Sequence, residues 1–171
     1  MKALFIVAQQ GYQDLEYGVP KQILEQAGIT TVTASKERGV AQGKMTSTKV
    51  ELALSEVRVN EYDVIIFVGG PGAVRYQQDT EAWRIARETV EKGILLCAIC
   101  IAPTILAYAG VLKGKQATVW DEDFKQEPLF TKMGITYTEK AVTQDGKIIT
   151  ANGPGAARDF GKKIMEVLRG K

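Results

Sequence analysis

The sequence predicts an α/β fold with a mostly parallel sheet, helices on both faces and a small antiparallel hairpin. Short apolar, strand-like runs recur along the chain, and one of them, residues 94–99, is wholly apolar, as in a strand that is buried on both faces of a sheet. The segments between these runs carry apolar residues at helical spacing. Strands that alternate with helices form parallel sheets covered on both sides, so the two patterns together favour this fold class.

The elements follow from these patterns in chain order. Helical spacing covers residues 15–27, 83–90, 103–112 and 157–168. Strand-like runs at 135–138, 141–143 and 148–150 surround Asp145-Gly146, a dipeptide that is typical of a hairpin turn. The apolar runs that are predicted as the remaining strands are residues 3–8, 30–34, 64–68, 94–99 and 117–119.

The length and composition indicate one soluble globular domain over residues 1–171. The hydrophobic fraction is 45% and the charged fraction 25%, as in ordinary globular domains. The 22 basic and 20 acidic residues are interspersed, so there is no basic tract for nucleic acid. No apolar stretch approaches the roughly 20 residues of a membrane span, and there is no signal-peptide pattern. We expect a cytoplasmic protein without a nucleic-acid or membrane partner.

The sequence contains no histidine, which removes several common catalytic sites. A Cys–His pair, a Ser–His–Asp triad and a histidine-rich metal site are all impossible within the chain. Cys97 and Cys100 form a C-x-x-C motif, but Cys97 lies inside an apolar strand, whereas a redox motif opens a helix. No second cysteine pair completes a zinc site. We therefore expect neither a metal nor a cofactor.

Cys100 lies where the apolar run 94–99 gives way to a helix with Pro103 in its first turn. A residue between a buried strand and a helix is held on a sharp turn, and its side chain points out at the carboxyl end of the sheet. The helix start supplies free N–H groups and a positive dipole end, which favour a thiolate. Cys100 is thus a candidate nucleophile. The alternative is a small thiol that fills a gap in the core.

Two further candidates follow neighbouring strands. Glu16 is either a partly buried acid that donates a hydrogen bond to the Cys100 thiolate or a solvated glutamate beside a helix start. Gly70 belongs to Gly69-Gly70-Pro71-Gly72, which matches neither of the common phosphate-binding glycine motifs. The N–H of Gly70 either pairs with that of Ile101 as an oxyanion site or belongs to a plain tight turn.

Together these motifs resemble the ThiJ/PfpI superfamily over essentially the whole chain. The resemblance implies a flavodoxin-like sandwich in which Cys100 is the reactive thiol and Glu16 is a protonated carboxyl that touches it. It also implies an oxyanion site from the N–H groups of Gly70 and Ile101, and assembly as a homodimer or larger homo-oligomer. The segments that carry the resemblance are Asp14-Leu15-Glu16, Val68-Gly69-Gly70, Ala98-Ile99-Cys100 with Pro103, residues 109–114 and residues 152–155.

The chain departs from the family pattern at the histidine positions. Protease-type relatives carry His directly after the cysteine and Glu shortly after the double glycine, where this chain has Ile101 and Val74. Other members place a His near the position of Trp120. A peptidase would therefore lack its base, whereas a glyoxalase or deglycase would lose one helper group. Asp121 or Glu122 is a candidate replacement for that group, since a carboxylate can act as a base.

Three functions remain open at this point. In the first, the protein is an enzyme for small reactive carbonyls, in which Cys100 adds to an aldehyde and Glu16 transfers the proton. In the second, it is a non-catalytic redox-sensing stress or chaperone-like protein whose Cys100 is reversibly oxidised. In the third, it is an intracellular cysteine peptidase, which the absence of histidine disfavours. Trp120 and Ile101 predict an apolar pocket for a small apolar molecule, which also favours a small carbonyl compound over a peptide.

Overall fold

The computed structural model describes residues 1–170, in which strands and helices alternate. The α-helices are α1 (Asp14–Gln26), α2 (Thr80–Glu91), α3 (Pro103–Tyr108), α4 (Gln126–Lys132) and α5 (Ala157–Leu168). Short 3-10 helices cover Leu54–Glu56, Val59–Glu61, Pro71–Gln78 and Pro154–Ala156. The strands are β1 (Lys2–Ile6), β2 (Gln10–Tyr12), β3 (Thr30–Ser35), β4 (Gly39–Gly43), β5 (Ser47–Val50), β6 (Leu52–Ala53), β7 (Val64–Phe67), β8 (Leu95–Ile99), β9 (Gln116–Ala117), β10 (Thr136–Tyr137), β11 (Val142–Asp145) and β12 (Ile148–Ala151).

Seven strands form the central sheet in the order β11-β12-β8-β7-β1-β3-β6. The neighbouring pairs from β12 to β6 are all parallel, and β11 runs antiparallel to β12. The apolar runs at 3–8, 30–34, 64–68 and 94–99 become β1, β3, β7 and β8, which lie in the middle of the sheet. The predicted fold class is therefore confirmed.

The sheet separates two apolar cores because successive side chains of a strand point to opposite faces. In β1, Leu4 and Ile6 belong to the core that contains side chains of α2, α3 and α4. Ala3 and Phe5 belong to the other core, beside α1 and α5. Helices therefore cover both faces, as the sequence predicts. Within residues 1–170, no helix is long and apolar enough to cross a bilayer.

Near the end of the chain the strand prediction needs one correction. The run 117–119 contributes only its first residue to a strand, β9, which pairs with β10 in a separate two-stranded sheet. The place beside β8 is taken by β12, whose four residues are all buried. The rest of the run is buried, but the Thr118 N–H donates to the side-chain hydroxyl of Thr150 rather than to a strand backbone, so the run does not extend the central sheet. The hairpin prediction at Asp145-Gly146 is confirmed, because β11 and β12 pair across that turn.

A small three-stranded sheet and one helix have no clear signal in the sequence. β4 and β5 form an antiparallel hairpin, and β4 also pairs with β2. Their residues are mostly exposed, so the apolar alternation that marks a strand is missing. The short helix α4 buries only Gln126 and Phe130.

The carboxyl ends of β1, β7 and β8 meet at one edge of the central sheet, where open α/β proteins place their ligands. The segment after β1 leads into α1, and the segment after β7 contains the two glycines Gly69 and Gly70. Cys100 follows directly after β8. The topology therefore brings three of the predicted candidates to one edge.

Candidate active site

Cys100 occupies a strained turn between β8 and α3. Its φ angle is +63°, in the left-handed region that a residue with a Cβ rarely adopts. The backbone is held there from both sides. The Cys100 N–H donates to the carbonyl of Ala151 at 2.9 Å, and the Trp120 N–H donates to the carbonyl of Cys100 at 2.8 Å. The predicted sharp strand-to-helix turn is therefore present, and it directs the thiol into a cavity.

Glu16 lies in the first turn of α1 with its side chain completely buried. The side chain of Gln13 caps this helix by accepting hydrogen bonds from the N–H groups of Leu15 and Glu16. The Gln13 N–H in turn donates to the carbonyl of Gly69 at 3.1 Å, which ties the helix start to the end of β7. The alternative of a solvated glutamate is therefore wrong.

Burial controls the protonation of Glu16. Removal from water raises the pKa of Glu16 to about 7, because a carboxylate loses its hydration there. The Cys100 thiol, the Gly69 N–H and the charge of Lys44 each lower this pKa, but by less. Among residues 1–170, neither carboxyl oxygen of Glu16 has a partner with good hydrogen-bond geometry. The side chain is thus a buried acid that is half protonated near neutral pH.

Cys100 and Glu16 titrate as a pair. Burial, followed by the negative charge of Glu16, raises the pKa of Cys100 to about 12, and the N–H groups of Gly70 and Ile101 lower it only in part. The expectation that the helix start favours a thiolate is therefore wrong for the free site. The helix has only six residues and begins at Pro103, so its dipole is outweighed by desolvation. The pair loses its first proton near the Glu16 pKa of about 7, and one proton then remains for the two side chains.

The two glycines after β7 allow a close approach of backbone to the site. A Cβ on Gly69 would lie 2.6 Å from the Cβ of Cys100 and would also collide with the carboxyl of Glu16. Gly70 has a φ of +107°, and a Cβ there would lie 2.5 Å from the backbone nitrogen of Gln13. Gly70 and Ile101 line the same cavity as Cys100, and their N–H groups lower the pKa of its thiol. The structure therefore brings all four predicted site residues together.

The pair opens into a cavity of about 560 Å³. Ile101 and Trp120 form part of its wall, as the sequence predicts, and Val74 lines it as well. Most of the lining surface is apolar, and polar side chains supply the rest. Of the two carboxylates considered as a replacement for histidine, Glu122 lines the cavity. Asp121 instead accepts a hydrogen bond from the Gln126 N–H at 2.7 Å. The polar side chains that line the cavity are Gln13, Glu16, Lys44, Gln77, Cys100, Glu122, Asp123 and Gln126.

Comparison with known proteins identifies the family. A sequence model of the DJ-1/PfpI family matches residues 1–167. This chain belongs to the DJ-1/PfpI family. It is 31% identical to the Pyrococcus furiosus protein named deglycase PfpI, over 99% of this chain and 100% of that protein. It is 28% identical to the Caenorhabditis elegans protein named glutathione-independent glyoxalase DJR-1.2, over 98% of this chain and 89% of that protein.

A solved structure supports the same assignment. The crystal structure of a ThiJ/PfpI domain protein from Brachyspira murdochii is similar at a TM-score of 0.94 with 30% identity. The similarity covers 99% of this chain and 97% of that chain. The resemblance to the ThiJ/PfpI superfamily, and the flavodoxin-like sandwich that it implies, are confirmed.

In this DJ-1/PfpI chain, several polar side chains of the cavity wall were not predicted from the sequence. Lys44 comes from the turn of the β4–β5 hairpin, and Gln126 comes from the start of α4, neither of which the apolar pattern predicts. The Gln77 side chain donates a hydrogen bond of 2.8 Å to the buried hydroxyl of Thr104. Among the acidic side chains of the wall, Glu122 and Asp123 do have a signal in the sequence, because they belong to the acidic stretch after Trp120.

The second cysteine has no part in this cavity. Cys97 lies in β8 between its neighbours Ile66 of β7 and Ile149 of β12, and it is fully buried. Burial raises the pKa of its thiol well above the usual value. Within residues 1–170 there is no group of three or more Cys, Asp or Glu side chains that could hold a metal ion.

Proposed function

We propose that this protein is a cysteine-dependent enzyme that acts on small reactive carbonyl compounds, in the manner of a deglycase or glyoxalase. One observation carries the proposal: the Cys100 thiol shares a cavity with a buried Glu16 carboxyl whose pKa is raised to about 7. An acid with a pKa near the working pH can both give and take a proton efficiently. The names of the P. furiosus and C. elegans relatives point to the same chemistry.

The roles of the four residues follow from their positions. The Cys100 sulfur adds to the carbonyl carbon of an aldehyde, which forms a C–S bond and turns the carbonyl π pair into an oxygen lone pair. The N–H groups of Gly70 and Ile101, which flank the sulfur, stabilise that oxygen as its negative charge develops. Glu16 transfers the proton that the thiol gives up to the same oxygen, so the adduct is a neutral hemithioacetal.

Glu122 is the group we propose in place of the missing histidine. Its side chain lines the cavity, whereas the Asp121 carboxylate is engaged at the start of α4. A carboxylate at the cavity wall can accept a proton from a water molecule or from the adduct. In this proposal Glu122→Gln slows turnover but leaves the alkylation of Cys100 unchanged.

The test is the consumption of methylglyoxal by four proteins measured side by side. We expect the wild type to consume it, Cys100→Ala to lose activity, and Glu16→Gln to lose about 100-fold, which is typical of the loss of a proton-transfer group. Cys97→Ala is the matched control, because it removes the other thiol without touching the cavity. Equal consumption by wild type and Cys100→Ala would refute the proposal.

We further propose that the protein works in the cytoplasm as a homodimer or larger homo-oligomer. The family resemblance supports the assembly, and the two free cysteines, which are usual in the reducing cytoplasm, support the location. Sedimentation equilibrium of the purified protein tests the assembly. A monomer at micromolar concentrations would contradict it.

A further inference from the structure

A carboxylate at the start of α1 holds the turn of the β4–β5 hairpin. The Asp14 side chain accepts hydrogen bonds from the N–H of Met45 at 3.0 Å, the N–H of Thr46 at 2.8 Å and the hydroxyl of Thr46 at 2.6 Å. Burial alone would raise the pKa of Asp14, but the hydrogen bonds from Thr46 and Met45 lower it, so the side chain is charged at neutral pH. The turn itself is closed by a hydrogen bond of 2.7 Å from the Gly43 N–H to the Thr46 carbonyl.

The start of α1 and the turn of the β4–β5 hairpin are tightly packed against each other. A Cβ on Gly43 would lie 2.5 Å from an oxygen of Asp14 and 2.8 Å from the ring of Tyr12. The N–H of Lys44 donates to the carbonyl of Tyr12 at 3.2 Å. The backbone of Lys44 is therefore fixed on one side by β2 and on the other by the turn that Asp14 holds.

The side chain of Lys44 lines the same cavity as Glu16. Among residues 1–170, no carboxylate lies within ion-pair distance of the Lys44 ammonium group. Its positive charge lowers the pKa of Glu16, which burial raises. The other ionisable group at Glu16 is Cys100 on the strand-to-helix turn, while Glu122 and Asp123 line the cavity from the loop before α4. Of the lining residues within 1–170, Lys44 is the one with a basic side chain.

We propose that Asp14 is a positioning residue: through the turn 43–46 it holds the Lys44 ammonium group at the cavity, where this charge stabilises the anionic form of the Glu16–Cys100 pair. The inference rests on the proposed function only in treating that pair as the reactive centre. It assigns a role in the site to the exposed hairpin, which otherwise contributes little to the core.

The experiment measures how fast iodoacetamide alkylates Cys100 as a function of pH. Iodoacetamide is uncharged, so Lys44 does not attract it, and the rate reports the anionic form of the pair. The acid limb of the profile is the range in which the rate rises with pH as the pair loses its first proton. Lys44→Met should move this limb to higher pH by about 0.3 to 0.5 unit, so that the rate below the midpoint falls about twofold to threefold. Lys44→Arg keeps the charge and should leave the limb near its wild-type position. Lys49→Met, on the exposed side of β5, is the matched control and should leave it unchanged.

Asp14→Ala distinguishes two roles of Asp14, the positioning of Lys44 and a direct effect of its own charge on Glu16, because the two roles shift the acid limb in opposite directions. Loss of a negative charge near Glu16 would by itself move the acid limb to lower pH, whereas release of Lys44 moves it to higher pH. We expect a shift to higher pH, and no further upward shift when Asp14→Ala is combined with Lys44→Met. An unchanged limb, a shift to lower pH or an upward shift that adds to that of Lys44→Met would overturn the proposal.

Thr46→Val is a second test of the proposal, for the case in which Asp14→Ala does not fold. It removes one of the three hydrogen bonds to Asp14 and should move the limb in the same direction by a smaller amount. If Asp14→Ala does not fold, an unmoved limb in Thr46→Val overturns the proposal. Because alkylation needs no turnover, these results stand whether or not the protein consumes methylglyoxal. Conversely, methylglyoxal consumption with an unmoved limb refutes only the role of Asp14.

Discussion

At the scale of single residues, the burial of Glu16 destabilises the folded protein when the pH is high enough to ionise its carboxyl. Its pKa is about 7 in the folded chain against 4.5 for a free glutamate. Because folding raises the pKa of the Glu16 carboxyl, its contribution to stability is fully present below pH 4.5 and is lost as the pH rises through about 7. A buried acid with this behaviour is typical of a functional site rather than of a core.

We therefore expect Glu16→Gln to stabilise the protein at alkaline pH. An amide of the same shape cannot ionise, so the variant should gain about 2–3 kcal/mol in the free energy of unfolding at pH 8. The gain should nearly vanish at pH 4.5, where the native carboxyl is protonated. Urea unfolding at the two pH values measures it. An equal effect at both pH values would show that burial does not control the Glu16 carboxyl.

The two cysteines should differ sharply in reactivity. Cys100 lines the cavity, whereas Cys97 is fully buried between two neighbouring strands. We expect iodoacetamide to label Cys100 in the native protein at pH 8 and to label Cys97 only after denaturation. Peptide mapping by mass spectrometry measures both sites in one sample. Preferential labelling of Cys97 would exclude Cys100 as the nucleophile.

At the scale of the elements, the turn between β8 and α3 stores strain at the proposed nucleophile. A left-handed residue with a Cβ costs roughly 1–2 kcal/mol more than glycine in the same conformation. Cys100 is held in that conformation by backbone hydrogen bonds to Trp120, which follows β9, and to Ala151, the last residue of β12. The strain is therefore maintained by distant parts of the chain.

A comparison of two variants isolates this strain. Cys100→Ala and Cys100→Gly both remove the thiol, but only glycine tolerates a φ of +63° without steric cost. We expect Cys100→Gly to be more stable than Cys100→Ala by about 1 kcal/mol, which reverses the usual order of the two residues. Urea unfolding of both proteins under the same conditions is the measurement. If alanine is the more stable residue, the turn is not strained.

At the scale of the whole molecule, the chain offers a poor site for peptide cleavage. Hydrolysis of an amide needs a base for the nucleophile and an acid for the leaving amine. The sequence has no histidine, and the site that the fold assembles contains one buried carboxyl beside the thiol. An aldehyde needs no leaving amine, so it remains a feasible substrate.

We accordingly expect no peptidase activity above background. Casein hydrolysis by protein freed of host proteases tests this, with Cys100→Ser as the control. Hydrolysis that persists in Cys100→Ser would be a contaminant. Hydrolysis that disappears in that variant would restore the peptidase assignment.

Much of this architecture can be predicted from local patterns. The central strands β1, β7 and β8 are short apolar runs, and an apolar run indicates burial on both faces of a sheet. β3 is instead rich in threonine, a β-branched residue that favours strands, and its first residue is exposed. The position of Cys100 at a turn follows in the same way, because it lies between such a run and a proline-led helix. The exclusion of histidine chemistry needs no structure at all.

Other properties depend on groups that are distant in the sequence. The pKa of Glu16 depends on its complete burial and on Lys44, which comes from an exposed hairpin 28 residues later in the chain. The pKa of Cys100, which the helix start alone would lower, is raised because the fold surrounds the thiol and places a carboxylate beside it. Pairing between distant segments is a further property of this kind, because residues 117–119 are as buried as β12, yet only β12 pairs with β8. Periodicity is a local property of the chain, whereas desolvation and charge depend on every group that packs around a site, so only the tertiary structure decides them.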